Sequence, residues 1–163
     1  MLATGIFAAS AAEATIDFSQ QGWSNEFEIT ATTPIGDSGI SVAFAKGEGK
    51  SAPKYYTSGT AVRMYSGNTM TLAVPQGTTV TSIAMKLASQ TYNFADDNTG
   101  YSASTGTFTA DPKTARTGAW TGTATEDLVL SLVNKQNAAK KWPQLRIVSM
   151  TVTYTAGVET KCA

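Results

Sequence analysis

Short segments in which apolar and polar residues alternate with a period of two dominate the chain. Such alternation places one face of a strand in a core and the other in solvent, as an antiparallel sheet requires. Helical periodicity is nearly absent, and the polar stretch 134–141 fits a short helix or a loop equally well. The clearest alternating sets are Ile16 and Phe18; Phe27 and Ile29; Ile40, Val42 and Phe44; Met70, Leu72 and Val74; and Leu128, Leu130 and Leu132.

Residues typical of turns separate these runs, at positions 34–39, 66–68, 75–77 and 96–100. The runs and their spacing are typical of a two-sheet sandwich. The sequence therefore predicts an all-β fold: an antiparallel two-sheet β-sandwich, jelly-roll-like, with about nine or ten strands.

Two of the runs change phase. In the run 80–87, Val80 is out of step with Ile83, and in the run 145–154, Ile147 is out of step with Met150. One extra residue in each strand would return the apolar side chains to the same face, so we expect β-bulges near residues 81–82 and 148–149. Alternatively, the two ends of each strand pack against different layers.

The composition narrows the possible chemistry. Only 15% of residues are charged and 26 are Thr, which favours strands and covers the wet face of a sheet without charge. Twelve basic residues balance twelve acidic ones, so nothing draws the whole chain toward nucleic acid. The absence of His and the single Cys162 exclude Ser-His-Asp and Cys-His catalysis, His-ligated zinc and a disulfide within the chain.

The ends of the chain suggest an exported fragment of a larger protein. Residues 2–9 form an apolar stretch. Residues 9–11 and 12–14 each have a small residue at the first and third positions, a pattern that signal peptidase recognises, although a basic leading segment is missing. A disordered or strand-like N-terminus is the alternative, and no stretch reaches the roughly 20 apolar residues that span a bilayer. We predict a residual signal peptide at 1–14, a β-sandwich module at 15–156, and a linker at 157–163 into a following domain, to which Cys162 would belong.

The segment 45–69 is distinctive because it contains APKYY at residues 52–56 and GTAVRMYSGNT at residues 59–69. Together with TIDFS at 15–19, it resembles the N-terminal β-sandwich accessory module of secreted and surface multidomain proteins of Gram-negative anaerobes, over roughly residues 15–155. There the module accompanies nuclease, glycanase or adhesin-like domains. The resemblance implies a β-sandwich accessory module, and residues 162–163 resemble the start of a chitobiase-C-terminal-like repeat. It does not identify a ligand.

Exposed aromatic side chains are the usual means by which β-sandwich modules hold sugars, because a flat ring covers the apolar face of a pyranose. The alternative for each ring is that it caps an open end of the sandwich. Trp23 and Trp142 lie in polar, loop-like segments. The candidates are Trp23, Tyr55, Tyr56, Tyr65, Trp120 and Trp142.

Two adjacent runs joined by residues 57–59 group cationic and aromatic side chains. If they pair as a hairpin, they form a polar binding patch in which Arg63 is the anchoring fork. The alternative is a structural Arg that stacks on Tyr and bonds loop carbonyls. The residues of this patch are Lys54, Tyr55, Tyr56, Arg63 and Tyr65.

The acidic residues suggest little chemistry. Asp96 and Asp97 could supply oxygen atoms to calcium, but they lack the spacing of a known calcium loop, and a solvated turn is the simpler interpretation. A glycosidase would need two carboxylates across a cleft, and nothing marks an acid as buried or paired. The acids considered for that role are Glu26, Glu28, Glu126 and Asp127.

These observations predict a non-catalytic, secreted or cell-surface binding module, exported through the periplasm, with carbohydrate as its ligand. The alternatives are a structural spacer or adhesin domain that contacts proteins and, less favoured, a carboxylate-only glycoside hydrolase. The expected partners are a glycan or a cell-surface protein and other domains of the same polypeptide. No cofactor and no nucleic acid are expected.

Overall fold

The computed structural model describes residues 10–90, 94–95 and 97–157. Within this part, the regular elements are β-strands apart from two single-turn 3-10 helices, Phe18–Gln20 and Asn98–Gly100. The strands are β1 (Ala12–Asp17), β2 (Phe27–Glu28), β3 (Thr33–Pro34), β4 (Ser41–Ala45), β5 (Lys54–Tyr56), β6 (Ala61–Tyr65), β7 (Thr69–Ala73), β8 (Thr78–Leu87), β9 (Tyr101–Ala103), β10 (Thr107–Asp111), β11 (Thr117–Ala124), β12 (Leu128–Leu132) and β13 (Gln144–Ala156).

The strands form two antiparallel sheets. The larger sheet has the order β10-β11-β8-β13-β6-β5-β2, with β1 also paired to β13, and the smaller has the order β3-β4-β7-β12-β9. In each sheet a late strand lies between two earlier ones: β13 between β6 and β8, and β12 between β7 and β9. This interleaving is typical of a jelly roll, and the predicted all-β two-sheet sandwich is confirmed. The strands outnumber the predicted nine or ten because β2, β3, β5 and β9 have only two or three residues, too few to show alternation.

The core lies between the two sheets and contains the apolar positions that the alternation predicts to face inward. Val42, Leu72 and Leu130 are fully buried, and each such side chain contributes about 1.5–3 kcal/mol relative to exposure. Trp120 also lies in this core, where its Nε1 donates to the Thr105 carbonyl at 2.7 Å. The indole is therefore a structural element of the sandwich.

Both predicted bulges are present, and they lie on neighbouring strands. Thr81 is the extra residue of β8 against β13, and Val148 is the extra residue of β13 against β8. On either side of Val148, both Ile147 and Met150 are buried, because the extra residue restores the inward face. At this bulge β13 also changes its other neighbour, from β6 to β1.

The segment 134–141 forms a loop and not a helix. Asn137 closes this loop with two hydrogen bonds to Lys141: its side-chain Oδ1 accepts from the Lys141 amide at 2.9 Å, and its backbone amide donates to the Lys141 carbonyl at 2.9 Å. Lys140 adopts a positive φ of 59°, a conformation that cannot continue a right-handed helix. The loop ends directly before Trp142 and β13.

Strand β1 begins before the predicted module boundary at residue 15. Residues 12–14 pair with residues 152–154 of β13, and the Ala14 side chain is buried. The ordered sandwich therefore includes three residues of the segment 1–14, which the sequence predicts to be a residual signal peptide. Residues 1–9 and 158–163, including Cys162, lie outside the described residues, so the signal-peptide and linker interpretations stay predictions. No helix in the described ranges is long and apolar enough to cross a membrane.

A chain that starts at Thr15 should be less stable than one that starts at Ala12. The shorter chain loses three residues of ladder pairing with β13 and the buried methyl group of Ala14. We expect the free energy of unfolding to fall by about 2 kcal/mol, as several backbone hydrogen bonds are lost. Urea unfolding of the two purified chains measures the difference, and equal midpoints would contradict a structural role for residues 12–14.

Candidate functional site

The structure separates the predicted aromatic candidates into buried and accessible rings. Trp120 is fully buried and Tyr55 is only 4% exposed, so neither can offer a ring face to a ligand. The interpretation of Tyr55 as a ligand-binding residue is wrong for a simple reason. Side chains alternate along β5, so Tyr55 points into the core while Lys54 and Tyr56 are half-buried on the other face.

Trp23 is also occupied by structural contacts. Its ring stacks on Phe18 and on Phe27, with centroid distances of 6.1 and 5.6 Å, and meets the edge of Tyr55 at 5.8 Å. Such aromatic pairs contribute about 0.5–1.5 kcal/mol each beyond their burial. Trp23 therefore closes an end of the core, which is the alternative that the sequence left open, and it is a poor sugar platform.

Trp142 is the accessible exception. Its side chain is 46% exposed, and only Phe27, at 38%, is another large exposed apolar side chain among the described residues. The backbone of Trp142 is nevertheless held firmly, because its carbonyl accepts from the Ala95 amide at 3.0 Å and the next residue, Pro143, is buried against Gly100. An exposed ring on an anchored backbone is what a ligand platform needs.

Trp142 forms one wall of a cleft of about 290 Å³. The rest of the cleft lining comes from the loop between β4 and β5, from the end of β6 and from the loop that follows β12. Their side chains provide an ammonium group, hydroxyls and an amide beside the two aromatic rings. The residues lining the cleft are Lys50, Ser51, Tyr65, Ser66, Asn134 and Trp142.

A buried amide holds these separate segments together. Asn68 is fully buried, and its Nδ2 donates to the carbonyls of Lys46 and Ser51 at 3.0 and 2.7 Å. Its Oδ1 accepts from the Tyr65 amide at 2.8 Å, and its backbone carbonyl accepts from the Leu132 amide at 3.0 Å. One residue therefore fixes the 46–51 loop, the end of β6 and the end of β12, which together carry most of the cleft lining.

The backbones of the two loops around Asn68 touch so closely that side chains are excluded. Gly67 has φ of 81°, and a Cβ there would overlap Gly49. Across this contact the Glu48 amide donates to the Gly67 carbonyl at 3.1 Å. The Asn134 side chain then donates to the Glu48 carbonyl at 3.1 Å, which ties the loop after β12 to the same assembly. The glycine-rich sequence of 46–51 is thus explained by packing.

Tyr65 links the cleft to the predicted cationic patch. The hydroxyls of Tyr65 and Tyr56 are 3.0 Å apart, and the Arg63 guanidinium lies 3.8 Å from the centroid of the Tyr56 ring. Arg63 thus stacks on Tyr56, which is one of the two contacts that the structural alternative expects. Its Nε is buried and has no hydrogen-bond partner in the described parts of the chain. Lys54, Tyr56 and Arg63 do not themselves line the cleft.

The acidic candidates form no group of potential metal ligands in the described part of the chain. The Asp97 carboxylate accepts from the Thr99 hydroxyl at 2.5 Å and from Asn137 Nδ2 at 3.0 Å, and these bonds lower its pKa. Asp96 lies outside the described residues. Among the residues described, no group of three potential ligands could hold a metal ion, and no Asp or Glu is buried.

No protein-family model matches the chain, and neither a curated protein nor a solved structure is significantly similar to it. The resemblance of residues 45–69 to accessory modules therefore stays a prediction. The structure adds a physical account of that segment, since it supplies Lys50, Ser51, Tyr65 and Ser66 to the cleft and Asn68 to its support. Sequence reasoning selected Tyr65 and Trp142 but missed Lys50, Ser51, Ser66 and Asn134. Lys50 and Ser51 lie in the distinctive segment 46–51, and Ser66 and Asn134 had no comparable signal.

Replacing Asn68 by Ala should destabilise the protein strongly. Two loop carbonyls and the Tyr65 amide would lose their partner in a buried position. We expect a loss of about 3 kcal/mol, and a melting temperature lower by about 6–12 °C, from urea and thermal unfolding.

Asn25→Ala is the matched control for Asn68→Ala. Asn25 is exposed, and its Oδ1 accepts from the Thr57 amide at 3.1 Å, so water can replace the lost acceptor. We expect this change to cost at most about 1 kcal/mol. Equal losses for the two variants would show that the buried amide has no special role.

Tyr65 should ionise at unusually high pH. Burial and the hydrogen bond with Tyr56 raise the pKa of Tyr65 to about 12, although the nearby positive charge of Arg63 acts to lower it. Because the folded state holds this proton more tightly, the associated stability is complete below pH 10 and is lost as the pH rises through about 12. An ultraviolet titration of the wild type minus Tyr65→Phe isolates the transition, and Tyr56→Phe should lower it. A Tyr65 transition near pH 10 would contradict this environment.

Proposed function

We propose that this protein is a non-catalytic, extracellular binding module that holds carbohydrate in the Trp142 cleft. The observation that carries the proposal is the 46% exposed indole of Trp142 on a backbone that Ala95 and Pro143 hold in place. A rigid aromatic surface costs little conformational entropy on binding, which favours its use as a platform. The apolar face of a pyranose is a natural complement to such a ring.

The rest of the cleft supports the same ligand class. Ser51, Ser66 and Tyr65 provide hydroxyl groups, and Asn134 provides an amide, so a sugar edge can find both donors and acceptors. The cleft volume of about 290 Å³ lies near the lower end of small-molecule sites, which suits a short saccharide and not a large cofactor. The polar groups come from segments that Asn68 already holds in place, so binding need not order them.

The lining also argues for binding and against turnover. A glycosidase places two carboxylates roughly 5–10 Å apart across the scissile bond. The cleft lining contains no carboxylate. The exposed acids Glu126 and Asp127 border two other depressions beside β12, and Asp127 already accepts from the Val74 amide at 3.1 Å.

Removing the Trp142 ring should weaken carbohydrate binding strongly without loss of folding. On a glycan array, we expect wild type to bind at least one glycan class, and Trp142→Ala to weaken that binding by at least about tenfold, as for a Trp at a binding hot spot. Trp142→Phe should retain part of the affinity because it keeps a flat ring. Circular dichroism should show all variants folded.

Phe27→Ala is the matched control, because Phe27 is the other exposed large ring and does not line the cleft. It should leave glycan binding unchanged. Wild type that binds no glycan, or binding that Trp142→Ala leaves intact, would reject the proposal and favour the alternative of a spacer or adhesin domain.

A further inference from the structure

We propose that the saccharide held beside Trp142 carries an anionic group, a carboxylate or a sulfate, which pairs with the ammonium group of Lys50. This inference rests on the proposed carbohydrate binding and specifies the class of sugar. It follows from the distribution of charge around a cleft in a chain that is neutral as a whole.

Lys50 is the one charged side chain among the residues that line the cleft. It is exposed, and the lining provides no carboxylate to neutralise it. Carriers of neutral sugars can use carboxylates to accept hydroxyl hydrogen bonds, whereas an ammonium group only donates. A carboxylate or sulfate on the sugar would accept from Lys50 and from the neighbouring hydroxyls at the same time.

The loop that leads into Trp142 is also positively charged. Lys135, Lys140 and Lys141 place three of the chain's twelve basic residues within positions 134–142, and that stretch contains no Asp or Glu. Lys135 borders a second depression on the other side of this loop, of about 420 Å³. Two acids lie near this region: Glu48, whose side chain is exposed, and Asp97, which Thr99 and Asn137 engage.

A row of basic residues crosses the larger sheet next to the cleft wall; two of them, Lys54 and Arg63, are half-buried, and Arg146 is buried. Lys54 of β5 lies opposite Arg63 of β6, and Arg63 lies opposite Arg146 of β13. Glu28 of β2 ends the row beside Lys54. The buried Arg146 donates from its Nε to Gln144 Oε1 at 3.0 Å, so the positive charge that this row presents to a ligand comes from Lys54 and Arg63.

The cation row and the cleft are two residues apart on the same face. Tyr65 is opposite Gln144, two pairs along the β6–β13 ladder from Arg63, and Tyr65 bonds Tyr56, over which Arg63 stacks. Two residues of a strand span about 7 Å, which is within the Debye length of about 8 Å at physiological salt, so the charge of Arg63 acts on a ligand against Tyr65. Lys50 provides the direct contact, and the row strengthens it.

The test compares three oligosaccharides with the same backbone: a neutral form, a uronic acid form and a sulfated form. Isothermal titration calorimetry on the full chain should show tighter binding of one anionic form, by about fivefold, the upper range of a partly exposed ion pair. Lys50→Gln should remove this preference. Raising the salt from about 0.01 M to about 1 M should also remove it, as the Debye length falls from about 30 Å to about 3 Å.

Lys86→Gln is the matched control, since Lys86 is an exposed lysine on β8 that does not line the cleft. It should keep the preference. Tighter binding of the uronic acid form identifies a carboxylate as the recognised group, and tighter binding of the sulfated form identifies a sulfate.

The outcomes separate this inference from the proposed function. Equal binding of all three forms, or a preference that Lys50→Gln leaves intact, overturns the anionic ligand while carbohydrate binding stands. Binding of none of the three, together with an empty glycan array, overturns both.

Discussion

The side-chain amide of Asn68 is the constraint on which the candidate site depends. A buried amide is tolerated only when its hydrogen bonds are made, and Asn68 makes three through its side chain. The side-chain bonds join the loop 46–51 to the end of β6 at Tyr65, and the Asn68 backbone carbonyl adds the end of β12 at Leu132. Because an unpaired group there would cost about 1–3 kcal/mol, the loops have little freedom to separate. The amide thus fixes these loops to the sandwich, and the fixed loops carry most of the cleft lining.

Rigidity matters because loops that must be ordered on binding reduce affinity. The cleft around Trp142 is supported from several directions: Pro143 packs on Gly100, and Asn137 closes the loop 134–141 on itself. Phe18 and Trp23 show the opposite use of aromatic rings, since they stack on each other and pack in or against the core. The same residue types thus serve packing at one place and leave a free surface at another, and the difference lies in whether neighbours cover the ring.

The sequence predicts the sandwich well because burial on a sheet has a local signature. Alternation identified the inward faces, and the phase changes placed the bulges at Thr81 and Val148, since one extra residue inverts every side chain that follows. The candidate site is less accessible to such reasoning. Alternation already implied that Tyr55 and Tyr56 face opposite sides, yet it could not tell which side is the core. The cleft combines residues 50–51, 65–66, 134 and 142, whose proximity depends on the strand order and on Asn68.

The net charge of the whole chain also differs from the charge around the candidate site. A net charge of zero removes any general attraction to a polyanion such as nucleic acid, because that attraction sums over many phosphates. A small ligand samples only the charges within about one Debye length. Around the Trp142 cleft those charges are predominantly basic, with Lys50 in the lining and with Lys54 and Arg63 behind the Tyr65 wall. Neutrality of the chain is therefore compatible with selection of an anionic sugar, and the sheet register that pairs Lys54 with Arg63 places positive charge beside the cleft.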